Sequence, residues 1–556
     1  MKNNHKSQWT NFLGNIFFPI LIFLICIPVL LDLFHPGLPI THDGQDHVAR
    51  IANFYQNLQE GVIIPRWAGN LNWGYGHPIL MFLYPLPSYV ASLFYFLGFT
   101  LVDSTKLVFG AMYIASGLTM YLWMKEFLGK GAGFASAVFY LFAPYRFIDL
   151  YVRGAIGEHV AFVFPPLICY FLLRLSKQES SLALVGGTLS LAALILSHNA
   201  ISLMFLPLII LYAMFPFFTI KNKNKKTLLI NYAFILIVGF GIAAFFWLPA
   251  YFEGKYTLRD IVTAGDITSR FVSIPSFLYG SWNYGGTGEF STQIGIIHWI
   301  IVLVSVIALL VYKRQDKKLF LFGLSVFTIF FLSLFLMTSF SNFIWNTIAT
   351  LKKFQFPWRF LSVSVFTVAT LAGFTISLFT KKQQLLFCIA AGLLLLFANQ
   401  NFWHARDYLS KPENFYSGIY NSTTDTGESS PIWSVRFMEH IPKAHMEVIT
   451  GESAIQERGR TFTKHEYIVN ASEQTRIREN TLFFPGWQVF VDGKKITPEF
   501  QDPANRGIMT FFINKGKHDV LVKFEETKLR FIANCLSLVS LTMLFIWVIV
   551  LKKRKI

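Results

Sequence analysis

Twelve apolar runs, each long enough to cross a bilayer, alternate with short polar stretches, near 11–31, 106–124, 132–147, 159–175, 181–197, 200–219, 228–250, 293–312, 318–338, 360–380, 384–399 and 531–551. Uncharged runs of this length read as membrane helices. A further apolar stretch, 78–99, carries Pro78, Pro85 and Pro87. Each proline removes a backbone donor, so the segment needs protein around it at membrane depth. It is predicted to be re-entrant or interfacial. Were it to cross, Lys125/Lys130, Arg174/Lys177, the Lys221 to Lys226 cluster, Lys313/Arg314/Lys317/Lys318 and Lys381/Lys382 would all face outward, against the positive-inside rule.

With twelve crossings both termini are expected in the cytoplasm, including Lys552-Lys553-Arg554-Lys555. The loops 32–105, 148–158, 251–292, 339–359 and 400–530 then share the outer face. Lys2, His5 and Lys6 precede a first run that ends at Leu31-Asp32 without a small-residue cleavage signature, and this predicts an uncleaved signal anchor. Residues 400–530 hold roughly half the acidic residues of the chain and alternate apolar with polar positions as strands do. Trp487, Val489 and Val491 alternate ahead of Asp492-Gly493, a type I′ hairpin signal. Residues 507–514 and 518–524 flank a second glycine-containing turn. The predicted organisation is an α-helical polytopic membrane domain over 1–399 with a large first external loop, 32–105. A small extracytoplasmic antiparallel β-sandwich follows over 400–530, and a final helix with a basic tail over 531–556.

Composition supports this reading: 54% of the 556 residues are hydrophobic and only 14% charged, with a mean hydropathy of +0.47. The formal charge of +17 comes in clusters after apolar runs, as cytoplasmic loops require, so nucleic-acid binding is excluded. Cys26, Cys169, Cys388 and Cys535 all fall within apolar segments, which leaves no disulfide framework or thiolate metal site. No phosphate-binding lysine loop, dinucleotide fingerprint or serine-hydrolase elbow is present, and Gly285-Gly286-Thr287-Gly288 reads as a flexible loop.

The chemistry gathers on the outer loops. His42-Asp43-Gly44-Gln45-Asp46-His47 places two carboxylates and two imidazoles where the first helix leaves the bilayer, near Arg50, Arg66, Trp67 and His77. Asp43 and Asp46 share one side of a helical turn, and either serves as a general base. With His47 they are also the candidate ligands for a divalent metal, although no fixed metal spacing is matched. Arg146, Asp149 and Arg153 stand at i, i+3 and i+7, either as a guanidinium clamp for a phosphate or as an internal ion-pair lattice. Glu158 and His159 open the next span. His198, Glu253 and Arg359 are further polar outliers at helix ends. Trp67, Trp73 and Tyr75 read as sugar-stacking rings or as interfacial anchors.

The arrangement resembles the GT-C class of membrane glycosyltransferases: an acidic first external loop, many spans and an extracytoplasmic carboxy-terminal domain. More narrowly, Asp43 to His47, Gly61 to Trp67, Gly74-Tyr75-Gly76-His77-Pro78, Ala143 to Glu158, Ser197-His198-Asn199, Trp247-Leu248-Pro249 and Phe356-Pro357-Trp358-Arg359 resemble a bacterial membrane family named after 6-pyruvoyl-tetrahydropterin synthase. That name does not describe the chemistry, because the histidine triad of the soluble synthase has no counterpart here. Phe484-Pro485-Gly486-Trp487 to Asp492-Gly493 resembles the tail of proteins that glycosylate Gram-positive envelope polymers. The class resemblance implies sugar transfer from a polyprenyl-phosphate donor to an envelope glycan or lipid acceptor at the outer face. Asp43, with Asp46 second, would be the base; Arg146, Arg153 or Arg359 would stabilise the departing phosphate. The chain departs from the class in lacking an Asp-x-Asp pair. A transporter of lipid-linked sugars and a non-catalytic envelope scaffold are the rival function classes.

Overall fold

The computed structural model describes residues 2–220, 224–263, 267–282 and 290–553. Lys221 to Lys223, the Gly285 to Gly288 loop, Arg554 and Lys555, all named above, lie outside the described residues. Among those described, ten helices are long and apolar enough to cross a membrane, and a carboxy-terminal β-sheet domain follows the bundle. The twelve apolar runs all become helical, but two are short: 132–147 yields Lys130–Leu141, and 181–197 yields Ser181–Ser197. The run 228–250 is broken, stopping at Ile242 and resuming over Ala244–Phe252.

The helices shuttle between two ends of one bundle. At one end Lys177 Nζ meets Glu126 at 2.7 Å and Lys318 Nζ donates to the Thr219 carbonyl. At the other, the Asp43 amide donates to the Arg153 carbonyl at 2.9 Å, and Asn399 Nδ2 reaches the Phe142 carbonyl. Lys125, Lys130 and the cations around 313–318 and 381–382 gather at the first end. Thr100 caps Leu101–Leu128 by accepting from the Asp103 amide, and Gly129 at φ +99° turns the chain back into Lys130–Leu141. Gly133 allows this tight return: a Cβ there would lie 2.8 Å from the backbone of Tyr121 and Lys125. The proline-rich 78–99 stretch forms two short helices, Ile79–Phe82 and Leu86–Phe96. It begins where Asn199 Nδ2 donates to the Phe82 carbonyl and leads to the Leu101 amide, held by Glu413. Both contacts lie at the second end, so this segment does not cross.

Residues 400–445 do not join the sheets as expected. Their first part lies on the second end of the bundle, where β1 (Leu38–Pro39) pairs with β2 (Tyr408–Leu409), and their last part packs on the sandwich through Trp433 and Met438. The sandwich proper begins at β3 (Met446–Thr450). It continues through β4 (Ser453–Arg460), β5 (Lys464–Ala471), β6 (Thr475–Leu482), β7 (Trp487–Val491), β8 (Lys494–Ile496), β9 (Ile508–Ile513) and β10 (Gly516–Phe524). One antiparallel sheet runs β4-β5-β10-β7-β8 and the other β3-β6-β9. The β7–β8 hairpin turns at Asp492 and Gly493, both at positive φ, as the type I′ signal requires. The second glycine turn, by contrast, passes the chain from one sheet to the other. Trp67 of the first loop inserts between Trp487 and Phe524, its ring 5.4 Å from Trp487. Gly76 at φ +78° permits this, because a Cβ would lie 2.5 Å from the Trp67 ring.

Candidate active site

A cavity of about 920 Å³ opens at the second end of the bundle, between the helix ends and the 418–445 segment. Its base is built by the exit loop. Gly44 heads the helix Gly44–Gln59, its N–H taken by Thr41 Oγ1 at 3.1 Å, and Asp43 occupies the cap position without a side-chain bond to the helix amides. Among the described residues no hydrogen bond or ion pair ties that carboxylate up. The helix dipole favours a negative charge there. The His42 and Asp43 amides donate to the carbonyls of Val152 and Arg153. Gly154 at φ +64° makes that approach possible, since a Cβ would meet Thr41 Oγ1 at 2.3 Å. Burial lowers the pKa of His42 and depresses that of His47 strongly, Arg50 adding to the latter.

Beneath this loop lies a buried charge network. Glu158, 1% exposed, accepts from Arg153 Nη2 at 3.0 Å, Arg359 Nε at 3.2 Å and the Tyr145 hydroxyl at 2.7 Å, with His198 Nε2 at 3.8 Å. Arg153 also holds Asp149 at 2.7 Å and stacks on Trp358 at 4.3 Å. Two carboxylates thus balance two guanidiniums in a dry setting, where each charge needs its partner.

The structure brings His42, Asp43, His47, Arg153, His198 and Arg359 to the cavity, with Glu158 directly beneath. The other expected site residues stand elsewhere. Asp46 turns to the Tyr420 hydroxyl at 3.1 Å and does not line the cavity. Arg146 is completely buried in a cage of Phe162, Tyr113 and Tyr140, donating to Ser116 Oγ at 2.9 Å. The i, i+3, i+7 face assumed for Arg146, Asp149 and Arg153 does not form, because Pro144–Phe147 gives way to a wider π-turn at Ile148–Val152. Asp149 serves only as the buried counterion of Arg153. His159 packs inward on the Phe109 carbonyl. Arg66 holds Glu526 at 2.7 Å and Asn534, and Glu253 holds Arg530 at 2.8 Å. Both tie the last helix to the rest of the fold. His77 meets Ser430 Oγ, and Trp67 is sandwich core.

Sequence reasoning missed much of the lining. Arg259, Arg270, Lys352 and Lys353 form a cationic side, next to an apolar slot made by Leu203, Leu206, Phe240, Trp247 and Tyr251. Asp425 and Glu428 line the same cavity; burial, then Asp425, raises the pKa of Glu428. A signal for the cations existed, since lysine and arginine kept in outer loops run against the positive-inside bias. Among the described residues no group of three or more His, Cys, Asp or Glu side chains is placed to hold a metal. Asp43, Asp46 and His47 are thus not gathered into such a group, Asp46 being turned to Tyr420.

No family model matches the chain. A curated Lactococcus lactis subsp. cremoris protein described as uncharacterized is 23% identical over 333 residues, covering 58% of this chain and 53% of its own length. The chain thus spans about half of that relative. Among solved structures, arabinofuranosyltransferase AftD from Mycobacteria overlaps 72% of this chain and 28% of its own at 11% identity, TM-score 0.46. The Archaeoglobus fulgidus oligosaccharyltransferase overlaps 76% of this chain and 62% of its own at 13% identity, TM-score 0.45. The functional reading rests on the cavity itself.

Proposed function

We propose that this chain is a membrane glycosyltransferase of the GT-C type, moving a sugar from a polyprenyl-phosphate donor to a cell-envelope acceptor at the outer face of the cytoplasmic membrane. The observation that carries the reading is the composition of one cavity: an unpartnered carboxylate, a cationic side and an apolar slot, all at the bundle end opposite the clustered lysines. A lipid phosphate has a matching shape, with its chain against Leu206 and Trp247 and its head against Arg270, Arg359, Lys352 and Lys353.

In the proposed step Asp43 takes the proton of an acceptor hydroxyl as its oxygen attacks the anomeric carbon. The bond from that carbon to the phosphate oxygen breaks, and its electron pair leaves on the phosphate, where the cationic side holds it. Carboxylate assistance is worth about 10²- to 10⁴-fold, and fixed charge on the leaving group about 3 kcal/mol more. The Glu158 network keeps Arg153 and Arg359 in place for this role. A transporter would instead keep its ionisable groups at mid-bilayer between repeats.

The test incubates purified protein with a panel of polyprenyl-phosphate sugars and measures release of lipid phosphate. Asp43→Asn is expected to lower turnover by about 10²- to 10⁴-fold, and Asp46→Asn, bound to Tyr420 outside the cavity, by much less. Wild-type turnover in Asp43→Asn would overturn the assignment of the base.

A further inference from the structure

One short segment gives the cavity a second kind of surface. Thr424, Asp425, Thr426, Glu428 and Ser429 face it from the extracytoplasmic side, and the segment is fixed in shape. Buried Thr424 sits at φ +64°, and its carbonyl accepts from Arg50 Nη2 at 2.7 Å. Asp425 accepts the backbone N–H groups of Gly427 and Ser429 at 2.8 and 3.0 Å. Gln355 is also left-handed, at φ +62°. Its Nε2 donates to Glu428 at 2.9 Å, its Oε1 accepts from Arg359 at 3.2 Å, and its carbonyl accepts from Arg270 at 2.8 Å. Gln355 therefore stands where the carboxylate and cationic surfaces meet. Two non-glycine residues held at positive φ around one cavity are the sort of strain that collects at functional sites.

Two buried groups complete this surface. His47 is 4% exposed and Arg50 8%; both line the cavity, and among the described residues His47 Nε2 and Arg50 Nε have no partner. His47 spends a ring N–H on the Gly154 backbone, so its free Nε2 accepts, whereas the Arg50 Nε–H donates. Leaving such buried groups unpaired is costly, so they mark the seat of something that bonds in both senses. A hydroxyl does this, donating to a carboxylate or ring nitrogen and accepting from a guanidinium N–H. An anionic group in this part of the cavity would instead face the carboxylates of Asp43, Asp425 and Glu428, which disfavour it against a neutral one.

We infer that residues 424–429, with His47 and Arg50, form the acceptor seat, and that the acceptor is a neutral polyhydroxyl glycan rather than an anionic polymer; this rests on the glycosyl-transfer reading above. Solvent-exposed Thr426 marks the aqueous approach, and the apolar slot beside the cations marks the lipid approach.

The test uses the full wild-type chain in lipid nanodiscs, without donor, titrated with malto-, manno- and chitohexaose and with hexagalacturonate. At least one neutral hexaose is expected to bind at least tenfold more tightly than the uronate. Adding Glu428→Gln or Thr426→Val should weaken that binding by about tenfold and weaken binding of polyprenyl phosphate by less. Thr426→Val serves as the second variant because its exposed side chain places little burden on folding. Failure of every neutral hexaose to bind, equal binding of the uronate, or an equal loss of lipid-phosphate binding would each overturn the inference. Wild-type protein that binds a neutral glycan yet cleaves no lipid-phosphate sugar would sink the transfer reading instead, and the two failures are told apart.

Discussion

Asp43 stands at a helix cap with its carboxylate free. An aspartate there ordinarily accepts from the amides two or three residues on, and here Asp43 makes no such bond while Thr41 takes the amide of Gly44. Glu158 is the opposite case, a carboxylate wholly consumed by its neighbours. Replacing it with glutamine leaves Arg153 with only Asp149 and Arg359 with no carboxylate, in a dry interior. Removal of one partner from a buried network costs about 3–5 kcal/mol. Glu158→Gln is therefore expected to melt well below wild type in detergent, as read by thermal unfolding, and an unchanged midpoint would show that the network does not stabilise the fold. Arg146 teaches the reverse lesson: a guanidinium suited to phosphate was placed among aromatic rings, where its flat apolar faces pack well.

At the scale of elements, the run 132–147 is expected to be one membrane helix, with Arg146, Asp149 and Arg153 sharing a face at its outer end. It instead breaks at Phe142 and widens into a π-turn, and the break delivers Arg153 to the cavity while burying Arg146. In the sandwich, Glu479 of β6 is wholly buried beneath β5, with His465 Nδ1 at 2.9 Å and Arg460 at 3.1 Å. Burial alone would raise its pKa, but His465 and Arg460 prevail and hold it at about 2 against an ordinary 4.5. A pKa lowered by folding means stability that is complete above about 4.5 and lost as pH falls toward about 2. Limited pepsin digestion across that interval is expected to open the 446–524 region progressively. Glu479→Gln should remove that dependence, and equally steep opening in both proteins would refute it.

For the whole molecule, the site depends on parts distant in sequence meeting at one end: the exit loop, four helix ends, and a strap from residues 418–445. Latches from Arg66 to Glu526 and from Arg530 to Glu253 hold the last helix and the sandwich base against that end. We propose that the cavity faces outward, because the clusters at Lys125/Lys130, 313–318 and 381–382 lie at the other end of the bundle, where the positive-inside rule would keep them in the cytoplasm. A single cysteine at Thr426 is expected to react with an impermeant maleimide in intact cells. One at Lys382 should react only after permeabilisation, and the reverse pattern would place the cavity in the cytoplasm.

The sequence alone determined where the apolar helices lie, the proline-broken stretch that does not cross, the alternating strands and the turn at Asp492-Gly493, though not which of the twelve runs stay long and unbroken. Each of these follows from local hydropathy, proline geometry or positive φ, and needs no distant partner. Only the tertiary structure decided which polar residues share a cavity. Arg146 and Arg153 are both arginines at a helix end, and nothing local distinguishes the one caged by rings from the one paired beside the site. Glu428 and Gln355 carry no motif at all; their role arises because a strap from beyond the eleventh run folds back over the bundle. Local pattern fixes what buries in lipid, whereas burial of charge is settled by the partners the fold brings together, from Asp149 four residues before Arg153 to Arg359, 201 residues from Glu158.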